Sequence, residues 1–443
     1  MTVARRRAKG ARALTGGTEE RSRSEGVPVS DRGRGRRPWP AGGYGDGHGF
    51  GGVESVNVMS DDVIYLDYNA STPCDPRVVE AMLPYLTGTF ANPSSRHHRP
   101  GRDAFTALEE ARSTVARFLG AKSVTEIVFT SGATEANNLA LMGVAGAWGG
   151  RGRHIVTQVT EHPSVLEPLI HLRDIGWDVT EIGVDSDGRI RLDELSGALR
   201  DDTALISLML ANNETGVLQP VAQAAELARG RGALIHCDAA QAVGKLAVDV
   251  AALNIDLLTL SGHKLYGPKG IGALFMRRSR PPLRLPPLVR GGGHEYGLRS
   301  GTPNLPGAVA LARALEIASG DLEIEMGRLA DLRDRLETEM VGELDDCSVN
   351  GSRVHRLPGT SNLSFAGIEG NALLASLPDL AVSTGSACTS AHSQASPVLL
   401  AMGVQPALAK ASLRLSVGRF TTAEEVDRAA ARIIEEVTRL RST

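Results

Sequence analysis

The stretch Ile255-Asp256-Leu257-Leu258-Thr259-Leu260-Ser261-Gly262-His263-Lys264 decides how the chain folds. Its first six residues are rich in Leu and Ile and read as a buried strand, which hands over through small residues to the turn-rich Tyr266-Gly267-Pro268-Lys269-Gly270. Lys264 then stands at the C-terminal edge of a sheet. An ammonium on a flexible stem is costly in that place unless a counter-charge meets it or it is converted to an imine. A surface lysine on a loop is the plain alternative. What stands at the neighbouring strand ends decides between them.

Upstream, strands and helices alternate for more than a hundred residues. Glu126–Thr130 reads as a strand, and Ser131-Gly132-Ala133-Thr134-Glu135 opens a helical pattern to Trp148. Strands at 154–158, 178–182, 205–210 and 233–237 alternate with helices at 164–173, 192–199 and 221–229. Helices at 76–86 and 103–119 come before this series. The pattern predicts an α/β fold with a mostly parallel sheet, helices on both faces and functional residues at the strands' C-terminal ends.

The polar residues at those ends are Ser131 to Glu135, Glu161-His162, Asn212-Asn213-Glu214, Asp238 with Gln241, and Ser261 to Lys264. Small residues between a strand and a helix make a phosphate site, although Thr134 and Glu135 would also suit a helix cap. His162 could cap a helix and Asn213 could hold a turn. Together they match what pyridoxal phosphate needs. Asp238 would keep the ring nitrogen protonated, His162 would stack on the ring and move a proton, Asn213 or Gln241 would meet the ring hydroxyl, and Lys264 would form the imine.

The 443 residues, 42% hydrophobic, can support a large core and two domains. No apolar stretch is long enough to span a bilayer. Residues 1–58 carry 11 basic against 6 acidic residues, so with a total of −3 the remainder stands at −8, which argues against a nucleic-acid surface. This segment, rich in Arg, Gly, Pro and Ser, is predicted to be disordered. It reads as a transit peptide, a basic tail for an acidic partner, or a dispensable extension upstream of a start at Met59; the last is preferred. Cys74, Cys237, Cys347 and Cys388 fit no metal spacing, and a reducing, cytoplasmic compartment is expected.

Beyond single residues, Leu66–Pro73, Thr130–Glu135, Thr160–His162, Asn212–Glu214, His236–Gln241, Ser261–Lys264, Gly291–Glu295, Arg299–Thr302 and Ser386–Ser390 occur in this order. From about Val63 to its end the chain resembles the cysteine desulfurases of the NifS/IscS type, among the class V aminotransferase-like enzymes. The resemblance implies a fold type I homodimer with a seven-stranded-type sheet. Its implied parts are an N-terminal arm at 59–75, a large cofactor domain at 76–310, and a small α+β domain at 311–443, with 76–90 placed in either. It implies that Lys264 anchors pyridoxal phosphate. Ala133, Thr134, Ser261 and His263 would hold its phosphate, with Thr302 reaching the partner subunit's and Gly262 also among the cofactor-binding residues. Asn213, Asp238 and Gln241 would hold the ring under His162.

Arg414, in Leu413-Arg414-Leu415-Ser416, then looks like the clamp for the substrate carboxylate together with Asn213. Cys388 lies in a run of small residues without periodicity, read as a mobile loop. By resemblance it bears the persulfide, and it could serve as a transient iron-sulfur ligand; no resident metal is expected. The implied reaction takes sulfur from L-cysteine, releases L-alanine and passes the sulfur to an acceptor such as an iron-sulfur scaffold or a tRNA-thiolating protein. The departures from the family pattern are Thr384 where Ser is frequent, Thr215 where Ile is common, and Cys237 beside Asp238. Selenocysteine lyase or aminotransferase chemistry on the same scaffold is one rival reading, and a sulfur-relay scaffold without turnover is another.

Overall fold

The computed structural model describes residues 63–148, 152–278, 282–384 and 395–442. The expectations for residues 1–58 and for Cys388 fall outside them. Twelve strands occur among the described residues: β1 (Ile64–Tyr65), β2 (Ile127–Thr130), β3 (His154–Gln158), β4 (Asp178–Ile182), β5 (Thr203–Met209), β6 (Leu234–Asp238), β7 (Leu257–Ser261), β8 (Gly272–Met276), β9 (Cys347–Val349), β10 (Thr360–Phe365), β11 (Leu380–Ala381) and β12 (Ser412–Ser416). Seven form one sheet in the order β2-β8-β7-β6-β5-β3-β4.

Strands β3 to β7 pair in parallel, while β8 runs against both β7 and β2. Two antiparallel steps cancel, so β2 points the same way as β7 and its C-terminal loop reaches the same edge. The sequence reading placed no strand at β8, because Gly270-Ile271-Gly272 reads as turn. Gly272 has a packing reason instead. A Cβ there would lie 2.5 Å from the Leu260 carbonyl oxygen and 2.7 Å from Gly132 Cα, so glycine lets β8 press against the loop after β2.

The strands read as continuous apolar runs because both faces are covered. Leu258 and Leu260 pack with helices 99–118, 221–230 and the start of 305–343, while Leu257 packs with helices 133–148 and 163–174. A separate core forms on the three-stranded antiparallel sheet β12-β10-β9, around Leu363, Phe365, Leu413 and Leu415. The 39-residue helix Leu305–Glu343 serves both, contributing Leu305 to Ile317 to the first and Leu329 to Met340 to the second. The arm also joins the two. β1 pairs in parallel with β11, Asp67 bridges to Ser416, and Thr72 N–H donates to the His263 carbonyl at 2.9 Å.

Candidate active site

The C-terminal ends of β2, β3, β5, β6 and β7 open on one cavity of about 730 Å³. Its wall contains Ala133, Thr134, His162, Asn213, Asp238, Gln241, Ser261, His263, Lys264 and Arg414, ten of the residues singled out from sequence. Gly262 and Thr302 are not on this wall. Gly262 lies under the turn, its N–H bonded to the Ile271 carbonyl at 2.9 Å, where a Cβ would meet Ile271 at 2.8 Å. Thr302 is exposed.

Lys264 ends a single 3₁₀ turn after β7. Its amine donates to the carbonyl oxygens of Asn69 at 2.5 Å and Ala70 at 2.8 Å. The arm therefore reaches the lysine, a contact 195 residues apart in sequence that no local pattern reveals. Arg414, buried on β12, donates to the Asn213 carbonyl at 3.1 Å and pairs with Asp67 at 2.6 Å. Its Nε is buried without a hydrogen-bond partner. A planar guanidinium fixed on two sides and lining the cavity suits a carboxylate ligand.

His162 caps the helix Pro163–Asp174, so the capping role weighed for it is real. Its Nδ1 accepts from the Ser164 N–H at 3.0 Å, which assigns the neutral ring's proton to Nε2. Burial holds the ring below its ordinary value, with the nearby Asp238 opposing the effect. A relay links the two. Ser164 Oγ lies 2.8 Å from His162 Nδ1, and the Asn137 amide donates to Ser164 Oγ at 2.9 Å and to Asp238 Oδ2 at 2.7 Å. Behind Asp238, burial pushes Glu161 well above the carboxylate range, with Asp238 adding to it.

These residues fit pyridoxal phosphate. A carboxylate held by Asn137 lines the cavity and suits a ring nitrogen, a lysine lies at the end of the adjacent strand, and the first turn of a 16-residue helix supplies N–H groups that have no partner within the helix. Burial, then Lys264, brings His263 down to about 4, so it enters as a neutral hydrogen-bonding ring; its Nδ1 lies 3.2 Å from Ser71 Oγ.

Residues 64–429 match the Aminotransferase class-V family. A cysteine desulfurase IscS of Anaeromyxobacter dehalogenans is 50% identical over 378 residues, which is 85% of this chain and 93% of that protein. The chain belongs to the cysteine desulfurases. Among solved structures, a NifS-like protein superposes with a TM-score of 0.80 at 37% identity, covering 85% of this chain and all of that one. SspA in complex with cysteine superposes at 0.71 with the same identity, covering 81% and 99%. No described helix of this desulfurase is long and apolar enough to cross a membrane.

Sequence reasoning gave no role to Asp67, Asn69, Asn137, Ser164 or Lys245, all of which frame the site. The signal for the first two was their place in the stretch Leu66–Pro73, which carried the resemblance without a role for either residue. Glu214 was quoted without a role. It is buried, and its Oε2 accepts from Ser396 Oγ at 2.5 Å, which ties the residues after Cys388 to the loop carrying Asn213. Burial pushes its carboxyl up to about 7, Ser396 and Arg414 opposing. Since the folded value exceeds the ordinary 4.5, the associated stability is complete below 4.5 and is lost as pH rises through about 7. Glu214→Gln, which cannot ionise, is expected to match wild type in thermal denaturation at pH 4 and to exceed it at pH 8, by at most about 3 kcal/mol. Parallel stability curves across this range would overturn the assignment.

Proposed function

We propose that this desulfurase converts L-cysteine to L-alanine using pyridoxal phosphate held by Lys264, and that the sulfur moves onto Cys388. The observation that carries the reading is that Lys264, Arg414, Asp238 and His162 line one cavity. Bound there, the cofactor would act as an electron sink for the substrate's Cα. Ala133, Thr134, Ser261 and His263 would hold its phosphate, and Asp238, Gln241 and Asn213 its ring, under His162. Gly262 shapes the lysine turn, and Thr302 is assigned to the phosphate of a partner subunit in a homodimer.

The chain's own groups do the rest. Arg414 binds the substrate carboxylate and so fixes the direction of the Cα–H bond toward Lys264. Lys264 Nζ takes the Cα proton and returns it. His162 Nε2 exchanges the thiol proton. The Cys388 thiolate attacks the substrate sulfur: the C–S bond breaks, an S–S bond forms, Cβ takes up a proton, and the products are an enzyme persulfide and L-alanine.

The three described cysteines support Cys388 as the thiol. None lines the cavity, and burial pushes the thiols of Cys74, Cys237 and Cys347 up, that of Cys347 to about 11. The reading extends to a cytoplasmic enzyme with a small domain from residue 311, handing sulfur to an iron-sulfur scaffold or tRNA-thiolating acceptor. The deciding assay supplies L-cysteine and a reductant with no keto acid. Stoichiometric alanine and sulfide are expected. Alanine formed only when a keto acid is added would point to transamination, and no alanine under either condition to a scaffold.

A further inference from the structure

Two amines converge on Asn69. Lys264 Nζ donates to its carbonyl oxygen at 2.5 Å, and Lys245 Nζ donates to its side-chain Oδ1 at 3.0 Å. Lys245 also donates to Gln241 Oε1 at 3.0 Å, and Gln241 Nε2 donates to that same Asn69 carbonyl at 2.9 Å. The Asn69 amide closes the frame, donating to Thr360 Oγ1 at 3.0 Å and to the Asn213 carbonyl at 3.3 Å. Lys245 is half-buried and is not on the cavity wall itself.

An ammonium only donates, so Lys245 decides which way two ambiguous amides point. With Oε1 of Gln241 and Oδ1 of Asn69 drawn to it, the NH₂ group of each is turned the other way, Gln241's toward the Asn69 carbonyl that also accepts from Lys264. The charge matters as well. The groups lining the space on the far side of Lys245 include Tyr68, Tyr266 and Glu325 of the helix Leu305–Glu343, and Glu325 is paired with Arg419 at 2.9 Å. On the cavity side stand the cations Lys264, Arg414 and Lys269, the rings of His162 and His263, and the carboxylates Asp67, Glu135 and Asp238. Asp67 is committed to Arg414, Glu135 to Arg299 at 2.9 Å, and Asp238 accepts from Asn137. Burial first, then Lys264 and Arg414, bring Lys245 down to about 7.

We propose that Lys245 is a positioning residue for Lys264: it locks the Gln241 and Asn69 amides that frame the lysine, and its charge repels a second proton from Lys264. A lysine must lose its proton before it can bond the cofactor's aldehyde, and a neighbouring cation is a general way to make it do so near neutral pH. Two amines this closely linked share their titration, so the effect belongs to the pair and is felt at and below about pH 7, where both would otherwise be charged. The inference rests on Lys264 being the cofactor lysine.

The test follows the visible absorbance of holoprotein against pH, and its recovery when pyridoxal phosphate is added back to cofactor-depleted protein. Lys245→Met is expected to move the absorbance midpoint upward by about one pH unit and to slow recovery near pH 7 about tenfold. Lys245→Arg keeps a cation and is expected to stay at the wild-type midpoint. Lys245→Gln keeps a polar, uncharged group and is expected to shift as Met does; it carries the decision if the Met variant does not fold. Wild-type midpoints and recovery rates in the uncharged variants would overturn the role of Lys245 and leave Lys264 untouched. Wild-type colour in Lys264→Ala would instead remove the assignment on which this rests.

Discussion

Lys264→Ala is expected to yield a folded protein without visible absorbance and with desulfurase activity lower by on the order of 10⁴-fold. The loss is double, because one amine both holds the cofactor and moves the Cα proton. Folding should survive. Lys264 ends a short turn whose shape is set by Gly262, by the Thr72 and Tyr266 contacts, and by β7, and its amine bonds are to carbonyls of the arm rather than to the core. Truncation also removes a cation from a wall that already holds Arg414 and Lys269. Thermal denaturation should therefore shift by no more than a few degrees. Absorption spectra of the purified variant, with and without added pyridoxal phosphate, decide the matter. A colour equal to wild type sinks the assignment, and Lys245→Met in the same background shows whether the neighbouring amine has taken over.

The alternation from residue 126 to 264 was legible because β2, β3, β5, β6 and β7 are buried on both faces, while the edge strand β4 exposes Asp178 and Glu181 and buries Val179 and Ile182, so hydrophobic runs and 3.6-residue spacing coincide with the elements. Strands β3 and β4 begin and end where the pattern put them. β8 was not legible, since it begins at Gly272, a glycine required by close backbone approach that carries no strand signal. The same division holds for the site. Residues at strand ends were readable because topology alone gathers them on one edge. Asn69 and Asp67 were not, because the arm reaches Lys264 and Arg414 through a two-residue strand, β1, paired with β11 more than 300 residues later. Asn137 sits on a helix face that reads as ordinary core, and only its bond to Asp238 shows its use.

Cys388→Ala is expected to lower alanine formation by at least about 10²-fold, and to abolish the enzyme-bound persulfide, while colour and the spectral response to L-cysteine remain. The split follows from separate tasks. Lys264 and Arg414 engage the substrate's amino acid end, and the thiolate engages only its sulfur. Cys388 lies outside the described residues, but the segment that carries it is fastened at both sides to this site. Ser383 exchanges backbone hydrogen bonds with Arg414, at 3.3 and 2.6 Å, and Ser396 donates to Glu214 at 2.5 Å. Cys388 lies five positions after Ser383 in sequence. The described thiols are not substitutes, because burial keeps each of them protonated in the core or away from the cavity. Alanine is measured over time with dithiothreitol present, and persulfide is trapped by alkylation of the variant and of wild type. Full alanine production by Cys388→Ala would show that a small thiol can take the sulfur directly, and Cys388 would then be a carrier after the chemical step rather than its nucleophile.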